Sequence, residues 1–404
     1  MPYNYKKMRS EFILTEIRRL KKVTVKTLAN QLNVTERTIR RDLVELKRTG
    51  NINIHYGGAS LLNKMGPDLY WNDPLLLHNN MDVMTTTTQT SSALKKGNVF
   101  ILGSFNTDLV YRLAHFPASG ETTRALYSCC LPGGKGCNQA VASVNALAAT
   151  HFVAKIGEDE YAHKARLFLE TIGLASLTLF THPQCPTGSA VVMVSESEGD
   201  NAIVINPGAN QTFSSAEITS CHTSIAQSDV FLIQMENNPD ASGQALTYAQ
   251  KCGLTTIFNP APWRPEVLDL LPSATIVTPN LTEAEAITSM TIHSKQDIRL
   301  AAEQIRLLGP HIVIITLGKE GCWMFDGEQH REYPAFPAVN IDTAGAGDAF
   351  NGALAARLAN SDSLDLAVRY ASAFASLAVE RSGAANMPEH TKVLEKMSED
   401  RSSQ

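Results

Sequence analysis

Seven consecutive residues, Asp342-Thr-Ala-Gly-Ala-Gly-Asp348, combine two carboxylates with a run of small residues. Small residues let backbone N–H groups approach an anion, and the stretch from Ala349 onward predicts a helix whose positive N-terminus points to the same place. Phosphoryl transfer needs such donors around the moving phosphoryl oxygens, and a group that accepts the proton of the attacking hydroxyl. The loop therefore predicts an anion hole formed by Gly345, Ala346 and Gly347, with Asp348 as the catalytic base.

A purely structural interpretation fits the same loop. A glycine-alanine turn that opens a helix is common in α/β proteins, and Asp348 would then serve only as the N-cap of that helix. Taken alone, the loop is compatible with both interpretations, so companion motifs have to distinguish them.

A second glycine-rich segment, Gly133-Gly-Lys-Gly-Cys-Asn-Gln-Ala140, precedes an apolar stretch over 141–149 that predicts a helix. Its glycines permit close approach of the backbone to a ligand, and Lys135 and Asn138 offer hydrogen-bond donors. The lysine is not followed by Ser or Thr, and the glycine spacing differs from that of a P-loop. The segment therefore favours a hydroxyl-rich ligand over a triphosphate.

Two further polar residues follow a strand-like segment. Val99–Leu102 runs into Gly103-Ser-Phe-Asn106-Thr-Asp108. Because ligands of open α/β sheets bind beyond the carboxyl ends of the strands, Asn106 and Asp108 are candidates for the same site.

These motifs need an α/β scaffold, and the chain from Val99 onward predicts one. Buried-looking strands alternate there with helical stretches, which favours a mainly parallel sheet covered by helices. The predicted strands are Val99–Leu102, Ala190–Val194, Val230–Ile233, Thr255–Phe258, Ile276–Val277 and Ile312–Thr316. Two longer extended segments, Thr122–Cys130 and Ala190–Ile205, predict a small β-sheet that forms a lid over the site.

The N-terminal part of the chain has a different charge. Residues 1–60 hold 13 Lys and Arg against 5 Asp and Glu, whereas the remainder holds 22 against 35. Helical spacing of apolar residues predicts helices over 9–20 and 25–32, and alternating Ile52 and Ile54 predict a small β-wing. A basic segment with these elements suits a polyanionic partner.

The third predicted helix of this segment carries the candidate DNA contacts. Thr35 is placed as its N-cap, and Gly50 ends it. Its apolar stripe, formed by Ile39, Leu43 and Leu46, faces inward. The opposite surface then carries Arg37, Thr38, Arg40 and Arg41, which fits the DNA major groove.

Cysteine usage and hydropathy bear on location. The seven cysteines are scattered and show none of the paired spacing of zinc sites, which indicates a reducing compartment. The basic N-terminus lacks the apolar segment of a signal peptide, and no stretch approaches the roughly 18 apolar residues of a membrane span. We expect a cytoplasmic protein that neither enters nor crosses a membrane.

The basic segment resembles the winged helix-turn-helix of DeoR-type bacterial repressors. The resemblance rests on Thr35-Glu-Arg-Thr-Ile-Arg-Arg-Asp-Leu43, with Arg9 and Ile13 upstream and His55-Tyr-Gly-Gly-Ala59 downstream, and covers about residues 8–60. It implies binding of double-stranded DNA through residues 1–60. Such repressors usually continue into a sugar-phosphate-sensing domain, and this chain departs from that pattern.

The three motifs of the larger part, in their order, resemble the ribokinase branch of the PfkB carbohydrate-kinase family over about residues 98–390. Further matching stretches are Gln234-Met-Glu236, Asn259-Pro-Ala-Pro262, residues 278–285, Thr316-Leu-Gly318 and residues 378–384. The resemblance implies a ribokinase-like α/β fold and an ATP-dependent transfer to an alcohol. The predicted organisation is a winged helix-turn-helix domain (1–60), a linker (61–97), a kinase domain (98–395) and a tail (396–404).

The family pattern implies roles for individual positions. The sugar pocket would be lined by Asn106, Asp108, Gly134, Lys135, Asn138 and Glu236, with Asp348 as the base. ATP would lie along Asn280, Thr316, Gly318, Gly347 and Asp348. Glu283 would arrange Mg²⁺ through water, since Mg²⁺ prefers oxygen ligands and keeps its waters.

A potassium ion beside the anion hole is also implied. Its ligands would be the Asp342 side chain and the carbonyl groups of Ala344, Ala378, Arg381 and Gly383. After Gly383 the chain is one residue shorter than the ribokinase pattern and has no serine, so the last ligand, near Asn386, departs from that pattern.

The substrate and the biological role have alternatives. A carboxamide at Asn106 favours D-ribose over 2-deoxyribose, because the deoxy sugar leaves one amide hydrogen bond unmade. A nucleoside is a further candidate. The first hypothesis is a ribose kinase that also regulates transcription; the others are a sugar-sensing transcription factor without catalysis, and a metabolic kinase that no longer binds DNA. A homodimer is expected in each case.

Overall fold

The computed structural model describes residue 13 and residues 22–32, 34–48, 52–55, 58–61, 96–198 and 200–402. The chain divides into two compact units, residues 1–76 and 77–404. All seven cysteines are free thiols. None of the described helices combines the length and the apolar character that a membrane crossing requires.

The small unit contains the predicted helix and wing. Its elements are β1 (Lys22–Thr24), α1 (Val25–Leu32), α2 (Glu36–Arg48), β2 (Ile52–His55) and β3 (Gly58–Leu61). The Thr35 hydroxyl caps α2 by accepting from the Thr38 N–H at 3.3 Å, as predicted. The strands form an antiparallel sheet in the order β1-β3-β2. The helix predicted over 9–20 lies outside the described residues except for Ile13, which is helical and buried.

The core of the small unit is the predicted set of apolar side chains. Its buried members are Ile13, Val25, Leu28, Ala29, Ile39, Leu43 and Leu46. The periodicity of the sequence therefore identified the inward faces of α1 and α2 correctly. With Ile39 and Leu43 buried, Arg40 and Arg41 are left exposed on the other side of α2.

The large unit is built from two sheets and surrounding helices. Its strands are β4 (Asn98–Leu102), β5 (Asn106–Leu113), β6 (Tyr127–Gly133), β7 (Ala149–Ile156), β8 (Ser176–Thr181), β9 (Gly188–Ser195), β10 (Asp200–Asn206), β11 (Val230–Ile233), β12 (Thr255–Phe258), β13 (Ile276–Val277), β14 (Ile312–Thr316), β15 (Cys322–Phe325) and β16 (His330–Tyr333). Its helices are α3 (Lys135–Asn145), α4 (Glu160–Leu169), α5 (Ser215–Ser220), α6 (His222–Ala226), α7 (Pro239–Lys251), α8 (Val267–Leu270), α9 (Leu281–Thr288), α10 (Lys295–Leu307), α11 (Ala346–Ala359), α12 (Leu364–Ala378) and α13 (His390–Ser402).

The main sheet has nine strands in the order β16-β15-β14-β13-β12-β11-β4-β7-β8. It is parallel from β14 to β8, and β15 and β16 add an antiparallel edge. The central strands are buried throughout, as in β11, which explains their continuous apolar runs. The predicted α/β fold is confirmed.

Four strands of the main sheet, β7, β8, β15 and β16, were missed by the sequence prediction. The helix expected over 141–149 instead occupies Lys135–Asn145, and the chain turns at Leu147 (φ 70°) before β7 begins at Ala149. Alanine-rich sequence at this junction suits the end of a helix and the start of a buried strand equally well. Periodicity alone could not locate the change.

The lid is a separate four-stranded sheet in the order β10-β9-β5-β6. Strands β5 and β9 are parallel, and the outer pairs are antiparallel. Assigning Ala190–Val194 to the main sheet was wrong, since this segment lies within β9 of the lid. The segment from Asn106 to Leu113, which was not among the predicted strands, is the lid strand β5.

Candidate active site

Asp348 lies in the first turn of α11 and not at its cap. The N-cap is Gly345, with φ 77°, and the helix begins at Ala346. The N-cap interpretation of Asp348 is therefore wrong. Glycine is required at 345 both for the positive φ and because a Cβ there would lie 2.7 Å from the Ala384 carbonyl oxygen. A Cβ at Gly347 would meet nothing within 4 Å, so the space beside this residue is open.

The glycine-rich segment meets this turn directly. Helix α3 begins at Lys135, which places Asn138 and Gln139 in its first two turns. The Asn138 side-chain amide donates to Asp348 Oδ2 at 3.0 Å, and the Gln139 amide donates to Asp348 Oδ1 at 3.0 Å. Asp348 is only 5% exposed. Two buried amide donors, one on each carboxylate oxygen, therefore hold the Asp348 side chain in place.

A second carboxylate lies at the N-terminus of α3. Glu236, just beyond the end of β11, accepts from the backbone N–H of Lys135 at 2.9 Å and from the Ser104 hydroxyl. The Ser104 oxygen in turn accepts from the Gly136 N–H at 3.2 Å. This arrangement fixes Glu236 by the partial positive charge of a helix N-terminus.

Asp108 completes a group of acidic side chains around one basic side chain. Its carboxylate packs on Gly133, where a Cβ would lie 2.1 Å from an Asp108 oxygen. Burial, with the negative charges of Glu236 and Asp348, raises the pKa of Asp108 to about 7. Burial alone would lower the pKa of the Lys135 ammonium, but Asp348, Glu236 and Glu283 raise it on balance. Lys135 therefore stays positively charged among these carboxylates.

Asn106 is held by a residue that the sequence reading missed. Asn106 is 4% exposed, and its Oδ1 accepts from Asn210 Nδ2 at 2.9 Å. Asn210 also bonds both backbone groups of Phe105 at 3.1 Å. The signal that could have found it is Pro207-Gly-Ala-Asn210, a Pro-Gly turn directly after an extended segment.

Three of the positions that the family pattern assigns to ATP, Asn280, Thr316 and Gly318, line the same cavity. Asn280 and Thr316 form an isolated parallel bridge, and both line a cavity of about 470 Å³ together with Gly318. His293 and Lys295 lie on the same cavity. An open space of this size, with polar groups on one wall, is suited to a small-molecule ligand.

Glu283 and Asn280 form a reciprocal cap at the start of α9. The Glu283 carboxylate accepts from the Asn280 backbone N–H at 2.9 Å and from its Nδ2 at 3.0 Å, and Asn280 Oδ1 accepts from the Glu283 N–H at 2.8 Å. Burial raises the pKa of Glu283. Each Glu283 carboxylate oxygen accepts one hydrogen bond and keeps a further lone pair, so the group is compatible with an ion held through water.

Asp342 joins the loop before α11 to the segment after α12. Its Oδ1 accepts from the Ala344 N–H at 2.9 Å and its Oδ2 from the Gly383 N–H at 3.0 Å. Among the other predicted cation ligands, the carbonyl groups of Ala378 and Gly383 accept backbone hydrogen bonds from Arg381 and Asn386, both at 3.0 Å. A carbonyl oxygen keeps a second lone pair, so this group of oxygens is compatible with a monovalent cation. The Asn386 side-chain amide donates to the Ser382 carbonyl at 3.2 Å.

The other sequence-based assignments at the site have mixed outcomes. The Ala346 N–H donates to the Thr343 carbonyl at 3.2 Å, which leaves Gly345 and Gly347 as the more available members of the predicted anion hole. Gly134, with φ 90°, caps α3. Burial raises the pKa of the Cys137 thiol, in keeping with a buried apolar role. Within the described residues, no three His, Cys, Asp or Glu side chains are grouped as a metal site.

The candidate DNA surface lies on α2 of the small unit. Arg40 and Arg41 are exposed, and Thr38 is half-buried with its hydroxyl 3.0 Å from that of Thr35. The side chain of Arg37 lies outside the described part of the chain. Two adjacent arginines opposite a buried apolar stripe form the kind of basic helix face that enters a major groove.

Two family models match this chain. The model of the pfkB family carbohydrate kinases matches residues 96–392, and that of the DeoR-like helix-turn-helix domain matches residues 9–65. Together they span the two regions that carry the motifs described above.

Individual relatives resemble the larger region. The ribokinase of Haemophilus influenzae is 34% identical over 296 residues, covering 73% of this chain and 96% of the relative. A deoxyribokinase of Salmonella typhi is 29% identical over 287 residues, covering 71% and 94%. The structure of Arabidopsis thaliana ribokinase complexed with ribose and ATP superposes with a TM-score of 0.67 at 30% identity, covering 75% of this chain and 98% of that one.

Proposed function

Because this chain belongs to the pfkB family of carbohydrate kinases and is a ribokinase-type sugar kinase with a DeoR-like helix-turn-helix domain, we propose that it phosphorylates D-ribose and regulates transcription. The observation that carries the kinase proposal is the buried Asp348 carboxylate at the start of α11, met by amide donors from α3 and surrounded by Asp108, Glu236 and Lys135. The products are D-ribose 5-phosphate and ADP.

Asp348 acts as the general base in this reaction. It takes the proton of the sugar 5-hydroxyl while the hydroxyl oxygen forms a bond to the γ-phosphorus of ATP. The bond between that phosphorus and the β–γ bridging oxygen breaks, and ADP leaves with the electron pair. Backbone N–H groups at Gly345, Gly347 and Asp348 stabilise the charge on the transferred oxygens. The open space beside Gly347 supports this placement.

The proposed sugar site consists of groups on the lid strand β5, at the start of helix α3 and beyond the end of the main-sheet strand β11. We assign its lining to Asn106, Asp108, Gly134, Lys135, Asn138 and Glu236. Asn210 donates a hydrogen bond to the side-chain oxygen of Asn106. The side-chain nitrogen of Asn106 is then left to donate to a sugar hydroxyl. If this hydroxyl is on C2, 2-deoxyribose cannot make the hydrogen bond, and the buried Asn106 amide is left without a partner. This costs roughly 1–3 kcal/mol of binding free energy. The ribokinase relatives favour ribose, and the deoxyribokinase relative makes 2-deoxyribose the second candidate.

The nucleotide site is assigned to the cavity beside β14. Thr316, Gly318 and Asn280 lie along it, and the ATP phosphates extend from there toward Gly347 and Asp348. Glu283 fits water-mediated Mg²⁺ because its oxygens, held in place by Asn280, keep lone pairs that can accept from waters of the ion. Bound Mg²⁺ would neutralise phosphate charge. K⁺ fits beside Asp342, with the carbonyl groups of Ala344, Ala378, Arg381 and Gly383 as further oxygens.

The basic helix surface supports a regulatory role. Arg37, Thr38, Arg40 and Arg41 are assigned to DNA contact, and residues 1–60 to a domain that binds double-stranded DNA. Residues 61–97 are assigned to a linker, 98–395 to the kinase domain and 396–404 to a tail. An enzyme that shares a chain with a DNA-binding domain can couple operator binding to the occupancy of its sugar or ATP site.

A homodimer is proposed through the lid. The outer strand β10 has three consecutive apolar residues, Ile203, Val204 and Ile205, that are 52%, 63% and 51% exposed. An exposed apolar edge strand is suited to pairing with another strand. A dimer also matches the paired half-sites of helix-turn-helix operators. The proposed use of ATP and DNA supports a cytoplasmic location.

The kinase proposal is tested with the purified full-length protein. ATP turnover is measured with D-ribose, 2-deoxyribose, fructose and nucleosides, with and without K⁺, for wild type, Asp348→Asn and the exposed control Asp240→Asn. We expect ribose to give the highest kcat/KM, K⁺ to increase turnover, and Asp348→Asn to lose about 10³-fold in kcat. Turnover equal to wild type in Asp348→Asn would contradict the mechanism.

The non-catalytic sensor is distinguished by the same assay. It predicts ribose binding by calorimetry without turnover in the wild type. Intact polar groups around Asp348 argue against it, because a sensor needs no ionised base facing its ligand. The regulatory proposal is tested separately by a mobility shift on the promoter of its own gene with and without ribose; absence of binding to every candidate operator would reject it.

A further inference from the structure

Three buried carboxamides form a network behind the Asp348 carboxylate. Gln139, which is 0% exposed, donates from Nε2 to Asp348 Oδ1 at 3.0 Å and to Asn259 Oδ1 at 3.3 Å. Its Oε1 accepts from Gln234 Nε2 at 2.6 Å. Both amide hydrogens and the carbonyl oxygen of Gln139 are therefore engaged.

The partners of Gln139 give its amide a single orientation. Asn259, just beyond the end of β12, donates from Nδ2 to the Thr278 carbonyl at 3.2 Å, so its Oδ1 must face Gln139. Gln234, just beyond the end of β11, presents a donor from the other side. Turning the Gln139 amide over would place its oxygen against the oxygens of Asp348 and Asn259, and its nitrogen against a donor. The ends of two central strands thus determine which group faces Asp348.

We propose that Gln139 is a positioning residue for phosphoryl transfer: fixed by Gln234 and Asn259, it donates to the Asp348 carboxylate and holds it in one orientation. The inference rests on the proposed kinase function and goes beyond it, because Gln139 is fully buried and acts on the base instead of on the sugar. A charge-assisted N–H bond stabilises a carboxylate over the corresponding acid.

The charges around Asp348 show why such a donor is needed. The carboxylates of Asp108 and Glu283 repel a negative charge at Asp348, and the Lys135 ammonium attracts it. Glu236 partly offsets Lys135. The Cys137 thiol, whose pKa is raised by burial, adds no charge. Several carboxylates thus compete for the Lys135 ammonium. The side-chain amides of Gln139 and Asn138 add neutral hydrogen-bond donors that do not exchange protons with the substrate.

The test compares pH profiles of full-length Gln139→Leu and Gln139→Glu with that of wild type, using D-ribose and ATP. Loss of the donor in Gln139→Leu should move the acid limb of kcat to higher pH by about one unit, which lowers kcat about tenfold at a pH on that limb. Gln139→Glu puts a second carboxylate against Asp348 and should move the limb farther. KM for ribose and its calorimetric Kd should stay within about threefold of wild type.

Two more variants separate positioning from folding. Gln234→Met removes the donor that orients Gln139 and should move the acid limb in the same direction by a smaller amount; it also tests the network if Gln139→Leu does not fold. Asn145→Leu makes the same change as Gln139→Leu farther along α3, where the amide donates to the Met387 carbonyl at 3.1 Å, and should leave the limb in place.

The outcomes of this test and of the kinase test are distinct. A wild-type protein that turns over no sugar rejects the kinase function and this inference together. An active wild type, with folded Gln139 and Gln234 variants whose acid limb stays at the wild-type pH, overturns only the positioning role. The positioning role is also overturned if Asn145→Leu and Gln139→Leu both lose activity in the same proportion to their loss of thermal stability.

Discussion

Asn138 Nδ2 donates a hydrogen bond to Asp348 Oδ2 at 3.0 Å, although the two residues are 210 positions apart in the chain. The Asn138 Oδ1 is buried and has no hydrogen-bond partner among the described residues. An amide with one end on the base and the other end open can connect a sugar hydroxyl to that base. We therefore propose that Asn138 serves both the proposed sugar pocket and the catalytic group.

Replacement of Asn138 by Ala should affect binding and chemistry together. It removes an acceptor for the sugar and a donor to Asp348, so we expect KM for ribose to increase about tenfold and kcat to fall about tenfold, each near the value of one hydrogen bond to a charged or buried group. Steady-state kinetics measures both. A change in KM alone would show that the contact with Asp348 has no catalytic effect.

Replacement of Asn210 by Ala should weaken sugar selectivity. Asn210 fixes the carbonyl end of Asn106, and without it the Asn106 amide can rotate and accept as well as donate. We expect the preference for ribose over 2-deoxyribose to fall about tenfold, measured as the ratio of kcat/KM values. The control is Asn201→Ala on the exposed lid strand β10, which should keep the wild-type ratio.

Asp108 predicts a pH dependence of stability. Burial and the charges of Glu236 and Asp348 raise its pKa from 3.8 to about 7, so the folded protein binds this proton more strongly than the unfolded chain. Between these two values the stability decreases as pH rises, and above pH 7 the full cost of an ionised buried group applies. Asp108→Asn, which removes that charge, should therefore stabilise the apo protein at pH 8 by at most a few kcal/mol.

The same substitution should have little effect below about pH 3, where Asp108 is protonated in both the folded and the unfolded state. Denaturant unfolding of wild type and Asp108→Asn at several pH values measures the difference. A stability difference that is independent of pH would show that Asp108 titrates normally. A difference that grows toward low pH would contradict the sign of the shift.

The two arginines of α2 predict a salt-dependent DNA affinity. Arg40→Ala/Arg41→Ala should weaken operator binding at least tenfold and reduce the slope of log K against log salt by about two if both contact phosphates. Ribose kinase activity should not change. Lys26→Ala on α1 is the control for loss of a positive charge elsewhere on the small unit. Equal losses in the control and the double variant would indicate general electrostatic attraction only.

The sequence by itself determined the type of fold, the two functional regions and most of the polar residues that meet around Asp348. Continuous apolar runs identified the central parallel strands, because buried strands need apolar residues on both faces. The spacing of Ile39, Leu43 and Leu46 identified the inner face of α2, because a helical repeat brings those positions to one side. Patterns of this kind depend only on residues that are close together in the sequence.

Only the tertiary structure decided how Asp348 is held. Its donors, Asn138 and Gln139, come from α3, more than 200 residues earlier, and the Gln139 amide is oriented by Gln234 and Asn259 at the ends of two central strands. It also decided that Asn106 belongs to the lid and is held by Asn210. Such contacts join residues distant in sequence, and the direction of a buried amide depends on all of its partners at once, so no local pattern specifies it.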